Sequence, residues 1–182
     1  MTKRRNPSPK VKPLMLWHAT DKAFERFDPD RSGLGTHFGT YRAAKGRATA
    51  ISRIRREYKR PTGEWRVTKY KVFVTNPLRT HDFGTWDTEP DVEHHLMRLG
   101  LMTPQELPIT RRLPDMAAFW RWVRNRIEAA GYDSIVYNNR VEDQGKDSYV
   151  IWRDDQIESA PQPIANPSRR RVRPTTKRRT RR

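Results

Sequence analysis

The chain has no cysteine. Disulfides and thiolate metal sites are excluded, and nothing points to an oxidising compartment. Long apolar runs are also missing, and none approaches the roughly 18 residues that a membrane span needs. The basic start is not followed by the apolar segment of a secretory signal. The expectation is therefore a chain with no visible secretory signal and no membrane partner. Glycine is sparse, at 9 of 182 residues. No glycine-rich phosphate loop is present, which argues against a Rossmann or P-loop domain. A Gly-x-Ser-x-Gly nucleophile elbow is absent too.

Acids are missing from both ends, and this locates the net charge of +17. Residues 1–12 carry Lys3, Arg4, Arg5, Lys10 and Lys12. Residues 161–182 carry Arg169, Arg170, Arg171, Arg173, Lys177, Arg178, Arg179, Arg181 and Arg182. These five and nine cations leave only +3 for residues 13–160. Both ends are poor in large apolar residues and cannot repay the entropy of ordering, so they read as disordered basic arms around one domain. Nine clustered cations suit a nucleic-acid backbone or another polyanion, and the alternative is a solubilising tail.

The body alternates patterns. Leu14–Trp17 is an apolar run ending at His18 and reads as a buried strand. From Tyr41 to about Arg60 the period is helical, with Ala44, Ala48, Ile51, Ile54 and Tyr58 on one stripe. A strand follows from Val67 to Val74, and Asn76-Pro77 closes it. Val92–Leu99 reads as a short helix stopped by Gly100, and Thr103-Pro104-Gln105-Glu106 starts another. Asp115 caps a helix whose stripe is Phe119, Val123, Ile127 and Ala130, ended by Gly131. Trp120 and Trp122 beside that stripe read as core rather than as a base-stacking platform. Strands at Ser134–Tyr137 and Ser148–Trp152 flank a polar loop, Asn138–Asp147. This order implies an α+β fold, although strand–helix alternation alone also allows a parallel sheet.

Four strings in this order carry a resemblance. Trp17-His18-Ala19-Thr20 resembles the first motif of the His-Tyr-Glu class of ADP-ribosyltransferases, with Ala19 in the glycine place. Gly35-Thr36-His37-Phe38 resembles the second, with His37 in the tyrosine place and Ala43, Ala44 and Ala48 on the helix that follows. Ser148-Tyr149-Val150-Ile151-Trp152 resembles the third, with Ser148 where the catalytic glutamate stands. Asn76-Pro77-Leu78, Gly131-Tyr132-Asp133, the set Tyr137, Asn139 and Glu142, and Gln156-Ile157 further resemble the ADP-ribosyltransferase-like domains of polyvalent and phage-associated proteins. The resemblance spans roughly Leu14 to Ala160. It implies two packed, mainly antiparallel sheets with flanking helices, and NAD as substrate.

In that family NAD loses nicotinamide, and a nucleophile captures the ribose cation. The resemblance implies that His18 binds a ribose hydroxyl, that Ala19 holds the carboxamide through its backbone, and that Thr20 adds a hydroxyl. It implies that His37 stacks on nicotinamide, with Tyr41 as an alternative ring unless it lies on the outer side of the helix start. It also implies Phe38 and Asn139 among the cofactor contacts, although Phe38 also reads as core. His18 also reads as a core histidine satisfied by backbone groups. Ser148 occupies the catalytic place without a charge. Glu142, six residues earlier, is the candidate carboxylate, and otherwise a solvated loop acid. Gln156 reads as structural. His94 and His95 are adjacent, not spaced as a metal pair, and are expected to be exposed; no metal site is expected.

Residues 42–71 hold eleven Lys or Arg against Glu57 and Glu64, which reads as a solvated face or as a polyanion surface. The leading function is a diverged, phage-associated mono-ADP-ribosyltransferase acting on a host protein or nucleic acid. The alternative is a catalytically silent relative that binds nucleic acid or travels in the virion. An RNA 2-prime-phosphotransferase, which uses a related fold, is disfavoured because that family's spaced Arg and His residues are missing.

Overall fold

The computed structural model describes residues 11–21, 27–28, 33–82 and 89–160. All nine cations expected to contact nucleic acid in the C-terminal arm lie outside the described residues, as do Lys3 to Lys10, Phe24 and Trp86.

The described chain is α+β. Strands β1 (Leu14–Thr20) and β2 (Thr36–Phe38) precede helix α1 (Tyr41–Glu57), and β3 (Arg66–Val72) and β4 (Pro77–His81) follow it. Helices α2 (Glu89–Arg98), α3 (Leu107–Thr110) and α4 (Met116–Ala129) then lead to β5 (Ser134–Asn139), β6 (Lys146–Ile151) and β7 (Ile157–Ser159). One sheet has the order β1-β3-β7 and the other β2-β6-β5-β4. Every pairing is antiparallel except β4 with β5.

Side-chain alternation along the strands decides which layer each residue serves. Leu14, Leu16, Tyr70 and Val72 of the first sheet pack against Phe38, Tyr149 and Ile151 of the second. On the outer face of the first sheet, Trp17, Ala19 and Val67 meet Ala44 and Ala48 of α1. The outer face of the second sheet, through Ile135, Tyr137 and Val150, packs on Val92 and Leu96 of α2 and on Phe119, Trp120, Val123 and Ile127 of α4.

Local signals explain the ends of the elements. The Thr40 hydroxyl accepts the Ala43 N–H at 3.0 Å to cap α1, and the Asp115 carboxylate accepts the Ala118 N–H at 2.7 Å to cap α4. Gly100 and Gly131 turn the chain after α2 and α4 at φ of +69° and +91°, where a side chain would be strained. The Asp133 carboxylate accepts the N–H groups of Thr75 and Asn76, and the Asn76 amide donates to the Gly131 carbonyl at 3.0 Å. The distant Asn-Pro and Gly-Tyr-Asp strings thus lock together. Gln156, 3% exposed, donates to the carbonyls of Phe73 and Asp133, in keeping with a structural role.

Four expectations are corrected. Asn76-Pro77 does not end strand structure: Pro77 opens β4, a position where its missing N–H is tolerated, and β4 runs parallel to β5. His94 is exposed, but His95 is buried, its Nε2 bonded to the Thr80 hydroxyl at 2.8 Å, because α2 covers β4. On α1 the buried residues are Ala43, Ala44 and Ala48 alone, whereas Ile54 and Tyr58 are 49% and 68% exposed. The strand expected to reach Val74 stops at Val72, where the Phe73 N–H turns to the Gln156 carbonyl.

Candidate functional site

The site lies where β1 and β2 meet. Trp17 and Gly39 exchange two backbone hydrogen bonds there, at 2.8 and 3.0 Å. Gly39 is required by close approach: a Cβ on it would come within 2.7 Å of the Ser148 hydroxyl oxygen and 3.1 Å of the Ala43 Cβ.

Register sets the polar cluster. Tyr137 lies opposite Ser148 in the β5–β6 ladder, and Val150 pairs with both Ile135 and His37. His37, Tyr137, Ser148 and Asn139 therefore share one face of the second sheet. His37 Nδ1 meets the Tyr137 hydroxyl at 3.0 Å. The Ser148 hydroxyl also bonds the Tyr137 side chain. Burial, then the charges of Arg47 and His18, hold the His37 imidazole well below its usual pKa, so it is neutral at neutral pH. Burial raises the Tyr137 phenol, which stays protonated.

Asn139 organises the loop after β5. Its Oδ1 accepts the N–H groups of Val141, Glu142 and Asp143 at 3.1, 2.8 and 3.0 Å. This fixes the amide orientation, and Nδ2 donates to Glu142 Oε2 at 2.9 Å and to Ser148 Oγ at 3.2 Å. The Thr40 hydroxyl donates to Asp143 and ties the same loop to the start of α1. The Glu142 carboxylate is thereby held one amide away from Ser148.

The structure brings Ala19, His37, Phe38, Asn139, Glu142 and Ser148 around one cavity of about 20 Å³, together with Arg47 and Tyr137. That is room for about one water, against the roughly 300 Å³ or more of a small-molecule site. His18 is not among the lining residues. Alternation along β1 turns it to the inner face, where its ring packs against Phe27 and Phe38 and Nδ1 donates to the His37 carbonyl at 2.9 Å. Burial lowers its pKa against the opposing effect of that hydrogen bond. Thr20 stands at the end of β1, also outside the lining. Tyr41 is half-exposed, edge-on to Trp17 with ring centroids 5.0 Å apart, and lines an outer groove instead. Glu142 is a wall of both the inner cavity and that groove.

Two participants were not singled out from the sequence. Tyr137 stood in a motif without a role of its own. Arg47 projects from α1 into the cavity, with Nη1 4.0 Å from Glu142 Oε1. Its signal was present: Arg47 follows Ala43 and Ala44 by four and three positions, a cation on an apolar helix face.

No family model matches the chain, and no curated protein matches it. Among solved structures it is similar to the M. tuberculosis MbcT-MbcA toxin-antitoxin complex, with a TM-score of 0.45 and 7% identity over 83% of this chain and 84% of that chain. It is also similar to an anti-CRISPR protein, with a TM-score of 0.38 and 14% identity over 84% of this chain and 100% of that chain. Likeness at that level carries no argument about function.

Proposed function

We propose that the chain is a diverged ADP-ribosyltransferase-like domain that cleaves NAD, with Glu142 as its carboxylate. One observation carries the reading: Glu142, Asn139 and Ser148, from a loop and two strands, converge with His37 and Tyr137 on one buried polar spot. In the reaction the bond from ribose to nicotinamide breaks and the electron pair leaves with nicotinamide. A nucleophile of the acceptor, or water, then bonds to the ribose carbon and gives up its proton. Glu142 would hold the ribose 2-hydroxyl and favour the developing positive charge. Ser148 cannot supply that charge, and Asn139 aims the carboxylate that does.

The cavity is too small for a nicotinamide ribose, and Arg47 in its wall is the side chain that would move to make room. Arg47 has a side chain 41% exposed to solvent and makes only a long contact with Glu142. The pyrophosphate of a dinucleotide is a better partner for a guanidinium than that contact is. Moving to it would free Glu142 at the moment it is needed.

The test is nicotinamide release from NAD by the full chain, with cell extract and nucleic acid present as acceptors. Release is expected, with a loss of at least about 100-fold in Glu142→Gln. Release that survives Glu142→Gln overturns the assignment.

The small cavity also favours a second reading, a catalytically silent relative that serves as a nucleic-acid-binding accessory protein. No release and no thermal stabilisation by NAD, together with salt-sensitive nucleic-acid binding lost on deleting residues 161–182, would support that reading over the first.

A further inference from the structure

Helix α1 sorts its cations by face. Arg47 and Arg55 point inward and are paired, Arg47 with Glu142 and Arg55 with Asp21, the latter also lying over the Trp65 ring. Arg42, Lys45, Thr49, Arg53 and Arg56 point outward and are exposed. They follow one another at intervals of three and four residues, so they occupy about 80° of the helix circumference and about 21 Å of its length. Arg42 reaches Asp143 at 3.8 Å but is 83% exposed. Among the described residues, Lys45, Arg53 and Arg56 have no ion-pair partner.

A face of this kind can be merely solvated, but two features distinguish it. Tyr41, Arg42, Lys45, Gly46, Thr49, Ala50, Arg53 and Glu142 enclose an open groove of about 520 Å³, with small residues as its floor. The groove has room for a phosphate beside Lys45 and Arg53, and the Glu142 side chain packs against Gly46 in its lining. The arc between Arg42 and Arg56 also holds no aromatic residue, and Tyr41 at its end is engaged by Trp17. A single half-exposed ring at one end of the stripe does not supply the succession of stacking platforms that a single-strand binder uses.

We propose that the outer face of α1 docks a nucleic-acid duplex through its phosphate backbone, with Lys45, Arg53 and Arg56 as the principal contacts. Recognition is independent of base sequence, because a row of cations reads phosphates and not base edges. The proposal uses no residue of 161–182 and does not depend on NAD chemistry.

The test is the salt dependence of binding of the full chain to a fluorescent DNA duplex of about 20 base pairs. Neutralising Lys45, Arg53 and Arg56 together to Gln should reduce the slope of log affinity against log salt by roughly 2.7, or about 0.9 for each phosphate no longer neutralised. The control neutralises Arg98, Arg111 and Arg112, three exposed cations on other elements. It changes the net charge equally and should leave the slope nearly unchanged. Thr49→Glu, at the centre of the stripe, should weaken binding severalfold even if the triple variant proves unstable. Absence of duplex binding by the unaltered chain overturns the proposal. Equal effects in the stripe and control variants overturn it too, because binding then follows total charge. So does a Thr49→Glu chain that binds as the parent does.

Discussion

The imidazole of His18 donates to the backbone carbonyl of His37 at 2.9 Å, while the imidazole of His37 turns to the opposite face and meets Tyr137 at 3.0 Å. Two histidines from neighbouring motifs thus serve different layers: one fastens the strand, and the other faces the cavity. Both are held neutral by burial, and so is His95, whose pKa falls to about 4.

Acid should therefore weaken the fold in a defined window. In the unfolded chain these histidines titrate near 6.5, so that state takes up protons first as pH falls. The stability they contribute is complete above about 6.5 and is lost as pH drops towards the lower folded values. The loss is up to about 1.4 kcal/mol per pH unit for each histidine that titrates. Urea unfolding midpoints measured from pH 8 to pH 5 should begin to fall near 6.5. A flat profile would show that these rings are not held neutral.

Asn139 should behave as a keystone of its loop. Asn139→Ala removes the acceptor of three backbone N–H groups and should cost roughly 2–4 kcal/mol. Asn139→Asp keeps that acceptor but sets a carboxylate against Glu142, and should recover only part of the loss. Chemical denaturation of both variants checks the ordering, and two variants as stable as the parent would show that the amide does not hold the loop.

Ser148→Glu should not recreate a family-type active site. Ser148 is 3% exposed and faces a cavity of about 20 Å³. A glutamate there is overpacked against Gly39 and sits beside the Glu142 carboxylate, so a loss of at least about 2 kcal/mol is expected. Raised nicotinamide release with unchanged stability would contradict this.

Arg47→Ala removes a cation that depresses both His37 and His18. Their titration midpoints, followed by NMR, should both move up. The shift tests the placement of Arg47 without reference to any activity.

The helix at 116–129 was legible because Asp115 and Gly131 mark its ends. The apolar cores of the last two long strands were legible too. Those strands run on through polar residues, to Asn139 in one and from Lys146 in the other, which the sequence places in a loop, and the second stops at Ile151 rather than Trp152. β4 was hidden because a proline opens it, and the burial of His95 was missed with it, since nothing in the sequence said that α2 would have a strand to cover. His18 is a core histidine satisfied by a backbone carbonyl, one of its two sequence readings, but the alternation that puts it there was not legible. The apolar run ends at Trp17, and only the full strand to Thr20, paired with β3, assigns Ala19 to the cavity and His18 to the space between sheets. The convergence of Glu142 on Ser148 follows from motif order, but the amide that creates it, Asn139, reads from the sequence as a ligand contact.

The Trp17–Gly39 bridge joins the edges of the two sheets through a single reciprocal pair of amides. Any widening of the seam large enough to admit a sugar ring must stretch or break that pair. The deuterium uptake of those two amides is then a clock for the molecule's own breathing, since both lose protection together each time the sheets part.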